Sequence, residues 1–169
     1  MKHTYQRIMI FGIPGSGKST FALMLHKKTG IPLYHLDCHF YVCNWQERDY
    51  QEFLDIQKKI VDQEQWIIDG NCIKSLEMRY QRADLCLYFN YPRWLCYLRI
   101  IKRLFTKDHK IKDRAQGCPE TICWSLLAYI WSFEKRVFNQ TKILKAQYPE
   151  VQFVEIRNDN DLKNLEMKL

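Results

Sequence analysis

The sequence predicts an α/β fold: a doubly wound parallel sheet of five strands with crossover helices. Three observations predict it. Short apolar runs alternate with helix-patterned segments, as in βαβ units. The first apolar run, Arg7 to Phe11, feeds directly into a glycine-rich loop and then a helix. A chain of 169 residues with 47% apolar residues suits one domain, 1–169, with an ample core.

The first strand covers about Gln6 to Gly12 and is apolar enough to be buried on both faces. Residues 12 to 19 then read GIPGSGKS, with Thr20 next, which matches G-x-x-x-x-G-K-[ST]. Gly12, Gly15 and Gly17 permit a tight turn whose amides point inward at an anion. Pro14, Ser16 and Thr20 complete the expected cradle. Lys18 reaches β- and γ-phosphates, and the Ser19 hydroxyl suits Mg²⁺. The helix that follows runs through Phe21, Leu23, Met24 and Leu25 to a stop at Thr29-Gly30, and its N-terminus favours negative charge. These residues call for ATP with Mg²⁺.

A second strand follows, Ile31 to Leu36, ending at Asp37. A helix near Arg48 to Gln63 places Phe53, Leu54, Ile56, Ile60 and Val61 on one face. Trp66-Ile67-Ile68-Asp69 is the third strand and Ala83 to Phe89 the fourth. Pro92 suits a helix start, and Trp94 to Phe105 is apolar nearly all round, which predicts a well-buried helix. A long helix is expected from Glu120 to Gln147, with Ile122, Leu126, Ile130, Phe133 and Val137 on one side. Val151 to Ile156 makes the fifth strand, and Asp159 is expected to cap a last short helix. Ligands belong at the carboxyl ends of such strands.

The acids and arginines follow from that placement. Asp69 ends its strand beside the loop, where an acid steadies Mg²⁺ together with Ser19. Gly70 follows it in place of the Glu that activates water in many ATP-hydrolysing motors, and no Asn-Lys-x-Asp guanine-reading motif occurs. Delivery of phosphate to a bound acceptor is therefore expected. Asp37, at the next strand end, could accept the proton of an attacking hydroxyl, help place the metal or cap a turn. Arg99 and Arg103 lie four apart on one helix face, and Arg136 returns on the long helix. Planar guanidinium groups suit phosphoryl oxygens, so these three and Lys18 are the expected charge-neutralising set. Arg79 follows the Asp69 strand and is expected at the acceptor. The base is expected near Arg157 and Asn158.

Net charge is +7, concentrated in 99–114, where seven basic residues meet two acidic ones. Three readings of that stretch stand: a solvated basic face, a phosphate clamp, or a DNA footprint. The Trp124, Tyr129 and Trp131 group reads as core packing. His35, Cys38, His39 and Cys43 lack the paired spacing of a zinc site. The odd, scattered set of seven cysteines fits reduced thiols and a cytoplasmic location. No run approaches the ~20 apolar residues of a membrane span, and the apolar start leads into the loop, not into a signal-peptide cleavage site.

The stretches IMIFGIPGSGKST, PLYHLDCHF, QWIIDGN, FNYPRWLCYLRIIKR, GCPE and Trp131 to Arg136 extend over nearly the whole chain. In combination they resemble the DNA topology modulation proteins, a bacterial group of adenylate-kinase-like P-loop proteins. The resemblance implies a three-layer P-loop NTPase fold of the nucleotide-kinase type, with strand order 2-3-1-4-5. It also implies an acceptor-binding arm (38–65), a lid (105–120), and ATP and Mg²⁺ binding. A link to DNA topology is implied by the group's name, though no nucleophilic Tyr motif is recognisable. Arg99 and Arg103 match the paired arginines that lead into adenylate-kinase lids. Asp69-Gly70 begins the adenylate-kinase Asp-Gly-Phe-Pro-Arg motif, but Asn71, Cys72 and Ile73 depart from it, so AMP does not follow as acceptor. Arg79 or Lys74 could replace the missing arginine. Asp37 is similar to the strand-end acid of small-metabolite kinases such as shikimate kinase. The expected activity is transfer of the ATP γ-phosphate to a nucleotide or small hydroxylated acceptor. The alternative is a nucleotide-gated DNA-binding regulator.

Overall fold

A computed structural model of the chain describes residues 5–105 and 123–167. Its strands are β1 (Arg7–Gly12), β2 (Leu33–His35), β3 (Trp66–Asp69), β4 (Leu85–Phe89) and β5 (Gln152–Ile156). They form one sheet in the order β2-β3-β1-β4-β5, the order that the resemblance implies. Every pairing is parallel. The helices are α1 (Lys18–Thr29), α2 (Leu36–Phe40), α3 (Tyr50–Val61), α4 (Leu76–Tyr80), α5 (Arg93–Phe105), α6 (Trp124–Gln147) and α7 (Asp159–Glu166).

The central strands are buried on both faces, which explains their unbroken apolar runs. Ile8 to Phe11, Trp66 to Ile68 and Leu85 to Phe89 are all buried. Trp66 is fully buried because its indole N–H finds the Val61 carbonyl at 3.3 Å. At the N-terminal edge, Asp84 clasps β1 to β4. It accepts from the amides of Gln6 and Arg7 and from the Arg7 guanidinium. Burial alone would raise the Asp84 carboxyl, but these donors outweigh it and hold it below the usual range.

Several local expectations are corrected. β2 is only Leu33–His35, and Leu36 begins a short helix, so Asp37 lies in the first turn of α2 and not at a strand end. Leu36 is the buried anchor of that helix. α3 starts at Tyr50 because the Asp49 carboxylate accepts from the amides of Gln51 and Glu52 and caps it. A 3₁₀ turn, Ile73–Ser75, and α4 fill the gap between β3 and β4, where no helix was expected. Asn158, not Asp159, caps α7, accepting from the amides of Asn160 and Asp161. α5 is not buried all round: Cys96 and Ile100 are buried, but Trp94, Leu98, Ile101 and Phe105 are exposed. Trp124 and Trp131 are likewise exposed, while Ile130, Phe133 and Val137 carry the buried face of α6. The Glu120 start of the long helix and Ile122 lie outside the described residues.

Candidate active site

The parallel register brings the carboxyl ends of β1, β2 and β3 together. Ile10 pairs with Asp69, and His35 pairs with Asp69 from the other side. Gly12, at the end of β1, opens the phosphate loop with φ 144°. A Cβ there would fall 2.2 Å from the Phe89 carbonyl oxygen, so close strand packing as well as backbone angle demands glycine. Gly15 has φ 81°, and a Cβ on it would meet the Cys96 carbonyl oxygen at 2.7 Å. α5 thus packs straight against the loop.

The loop delivers the chain into α1 with its first-turn amides uncapped. The N-cap is Gly17, no side chain caps the helix, and no acid lies in the first turn. By contrast, α3 and α7 are capped by side chains. Amides left open at a 12-residue helix following three glycines form a site for an anion. The Lys18 ammonium donates to the Ile13 carbonyl at 2.9 Å, reaching back across the loop. Burial lowers its pKa, while the Asp69 and then the Asp37 carboxylates oppose that shift. Arg103 also acts on Lys18, so its charge faces the same place.

Asp69 is buried. One carboxylate oxygen meets His35 Nδ1 at 2.9 Å, and the other, Oδ1, is buried without a hydrogen-bond partner. Ser16 Oγ is buried and unpartnered as well. An orphaned carboxylate oxygen beside a lysine and an open anion cradle is the kind of group that would help to hold a divalent cation. Among the described residues no cluster of three or more His, Cys, Asp or Glu could hold a metal by itself. Ser19, half-buried in the first turn of α1, is the hydroxyl available to it.

Arg99 is drawn into a lock. Its guanidinium donates to the Ser16 carbonyl at 2.9 Å and to Asp159 Oδ1 at 3.1 Å, and it stacks on the Tyr91 ring at 4.7 Å. Tyr91 donates to the same Asp159 oxygen at 3.0 Å. The lock ties α5, the loop after β4 and the start of α7 to the phosphate loop. Arg157 is exposed and paired with Glu155, and its amide donates to Asp161 at 2.9 Å. With Ile13 of the phosphate loop, Asn90, Tyr91, Trp94 and Trp131 it lines a cleft of about 650 Å³. Thr20 and Gly17 are exposed at the mouth of the loop, and Pro14 is half-buried.

On the other flank, Asp37 is exposed, and its charge acts on Lys18, Cys72 and Tyr129. The Tyr129 hydroxyl is pushed up to about 12, chiefly by burial and by Cys72, and it meets the Asn71 side chain. Arg136 stacks on Tyr129 at 5.5 Å and donates to Ser132 Oγ at 2.8 Å. α6 therefore faces the loop after β3, and Gln140 fixes it there through the Ile73 carbonyl at 3.1 Å.

Arg79 sits elsewhere. It is fully buried, donating to Gln57 Oε1 at 2.8 Å and to the Asn71 carbonyl at 3.1 Å, with longer contacts to Ser75 Oγ and the Gly70 carbonyl. Asn71 Oδ1 in turn accepts from the Gly12 amide at 3.0 Å. Lys18, Ser19, Asp37, Asp69, Arg99 and Arg103 thus gather around the strand ends, with Arg136 on the flank and Arg79 beneath. The stretch expected to form a lid, 105–120, lies outside the described residues apart from Phe105, as does most of the basic stretch.

Asn71, His35 and Asp159 were not among the expected site residues. Asn71 was legible only as a departure from Asp-Gly-Phe-Pro-Arg, and His35 only as a weak zinc candidate. Asp159 reads in the sequence as an ordinary cap.

No protein-family model matches the chain, and no curated protein sequence matches it. Solved structures do. A sugar kinase from Janibacter sp. aligns over 97% of this chain and 94% of its own, at TM-score 0.56 and 12% identity. Deoxyadenosine kinase from M. mycoides with bound dATP aligns over 96% and 98%, at 0.53 and 13%. Shikimate kinase from Acinetobacter baumannii in complex with shikimate aligns over 97% and 93%, at 0.51 and 15%. The fold is that of the P-loop kinases. Among the described residues no helix is long and apolar enough to cross a membrane.

Proposed function

We propose that the chain is an ATP-dependent phosphotransferase that carries the γ-phosphoryl group to a nucleotide or small hydroxylated acceptor. The observation that carries this reading is the convergence at one sheet edge of three things: uncapped α1 amides, the Lys18 ammonium and a buried, unpartnered Asp69 oxygen. Kinases of this fold solved with dATP and with shikimate support an adenine nucleotide and a small acceptor.

In this reading residues 12–20 cradle the phosphates. Lys18, Arg103, Arg136 and Arg99 neutralise charge on the transferred group, the main catalytic contribution in phosphoryl transfer. Arg99 also holds the loop in shape through Ser16. Ser19 and Asp69 would hold Mg²⁺, which when bound offsets charge on the β- and γ-oxygens. His35 orients the Asp69 carboxylate and keeps its second oxygen free for that duty. Asp37 takes the proton of the attacking acceptor hydroxyl as the new O–P bond forms and the bond to the ADP oxygen breaks. The base occupies the cleft beside Arg157. Arg79 supports the acceptor side from below, through Asn71, without touching the acceptor. Membership of the DNA topology modulation group is part of the proposal and rests on the motifs.

Lys18→Ala tests the reading. Titration calorimetry should show loss of ATP binding, with acceptor-dependent ADP release abolished. Unchanged binding and turnover would remove the loop from the mechanism. A panel of nucleosides, nucleoside monophosphates and hydroxylated metabolites should then identify the acceptor through ADP release.

A further inference from the structure

We infer that Tyr129 is a positioning residue whose ring carries the Arg136 guanidinium and presents it to the terminal phosphate of a bound nucleotide, an assignment that rests on reading residues 12–20 as a phosphate cradle. Three contacts meet at this ring. The Arg136 guanidinium lies over it at 5.5 Å. The ring packs at 72° against that of buried Phe133, with centroids 5.4 Å apart. The Tyr129 hydroxyl meets the side chain of Asn71, whose Oδ1 accepts from the Gly12 amide at 3.0 Å. The ring is thus fixed to the core by Phe133 and tied to the start of the phosphate loop through one intervening residue. Packing alone accounts for the Phe133 contact. It does not account for a hydroxyl at Asn71 or for a guanidinium over the ring.

The local geometry of α6 explains the reach. Tyr129, Ser132 and Arg136 are spaced by three and four, so they share one helix face. Side chains on a helix lean toward its N-terminus. Arg136 does so over two turns: its Nε donates to Ser132 Oγ at 2.8 Å, and its guanidinium ends over Tyr129. Among the described residues no protein group accepts from its two terminal nitrogens. A planar fork with one nitrogen fixed and its outer edge open suits a pair of phosphate oxygens. An exposed arginine without such support gives up rotamer freedom when it binds an anion. Here Ser132 and Tyr129 have already taken most of that freedom away.

Electrostatics point to the same place. The Asp37 charge acts on the Tyr129 hydroxyl and on Lys18, so this acid is a common neighbour of the phosphate loop and of the ring under Arg136. Lys18 approaches a phosphate from the loop, and Arg136 approaches it from α6. Tyr129 sets the place of the second cation without itself touching the nucleotide.

Titration calorimetry of the full chain with Mg²⁺–ATP and with Mg²⁺–ADP tests this, because only ATP carries the terminal phosphate. Arg136→Met should cut the preference for ATP over ADP by about tenfold, the loss of a charge-assisted contact. Tyr129→Leu should cut it by about fivefold and Ser132→Ala by about threefold, with ADP affinity unchanged in both. Tyr129→Phe, which keeps the ring, should stay within about twofold of the wild type. Added to Arg136→Met, Tyr129→Leu should cost less than about twofold more, because the two residues act as one unit. Ser132→Ala removes one oxygen from a helix surface and keeps the test open should Tyr129→Leu fail to fold. The inference is overturned by an unchanged preference in Tyr129→Leu or in Arg136→Met, by equal losses for ATP and ADP, or by a full further loss in the double variant. Each of those results leaves the loop reading standing so long as Lys18→Ala abolishes binding of ATP. Binding that survives Lys18→Ala removes the loop reading, and this assignment with it.

Discussion

Asn71, two residues after Asp69, joins the phosphate loop to a buried arginine. Its amide oxygen takes the Gly12 N–H, while its carbonyl is held by buried Arg79. The two residues form a strut from buried Arg79 to the entrance of the phosphate loop. Asn71→Ala removes the acceptor of one loop amide. ATP affinity should fall by about tenfold, near 1.4 kcal/mol, and the buried Gly12 amide left without its acceptor should lower the melting temperature as well. Arg79→Met should act on the fold instead. It removes a charged donor from Gln57, which keeps only the Ser75 hydroxyl, and from the Asn71 carbonyl, and should cost roughly 3 kcal/mol in urea unfolding. Were Arg79 an acceptor ligand, the substitution would raise the acceptor KM at unchanged stability. The phosphate loop, Lys18 and Asp69 were legible because their order along the chain is their chemistry. Arg79 was not, because sequence places an arginine after a strand without saying whether it points into the cleft or under it.

At the level of elements, the short α2 helix carries Asp37 in its first turn and His39 in its last. His39 on α2 has its pKa lowered, first by burial and then by the Arg48 and His35 charges. The sign follows from linkage. Above its ordinary value of about 6.5 the ring is neutral in both folded and unfolded chains and contributes nothing. Below it the unfolded chain takes up the proton first, so stability falls with pH until the folded ring titrates too. His39→Gln should flatten this slope, seen as a smaller loss of urea midpoint between neutral and mildly acidic pH. An equal slope in both proteins would mean that His39 is as well solvated folded as unfolded. α5 shows why periodicity alone misreads a helix. Apolar residues nearly all round predict burial, yet Trp94, Leu98, Ile101 and Phe105 are exposed.

For the molecule as a whole, a loop of open amides is costly until an anion fills it, so nucleotide binding should stabilise the fold. Saturating Mg²⁺–ATP, at about a hundred times its dissociation constant, should add about 2.7 kcal/mol and raise the melting temperature. The shift should be absent in Lys18→Ala, and a shift that survives there would place the nucleotide elsewhere. The net charge of +7 suits anionic ligands generally and does not select among them. The sequence by itself determined the fold class, the phosphate loop and the strand-end acid Asp69. Each of these is a local matter, set by run lengths, glycine positions and a motif whose residues touch one another. Only the tertiary structure decided that Arg79 is sealed beneath Asn71, that His35 joins Asp69, that Arg99 locks onto Asp159, and that the apolar face of α5 looks outward. Those outcomes depend on which side of a helix meets the sheet and on pairings between residues as many as 60 positions apart. Such contacts are fixed by packing, not by the order of neighbours along the chain.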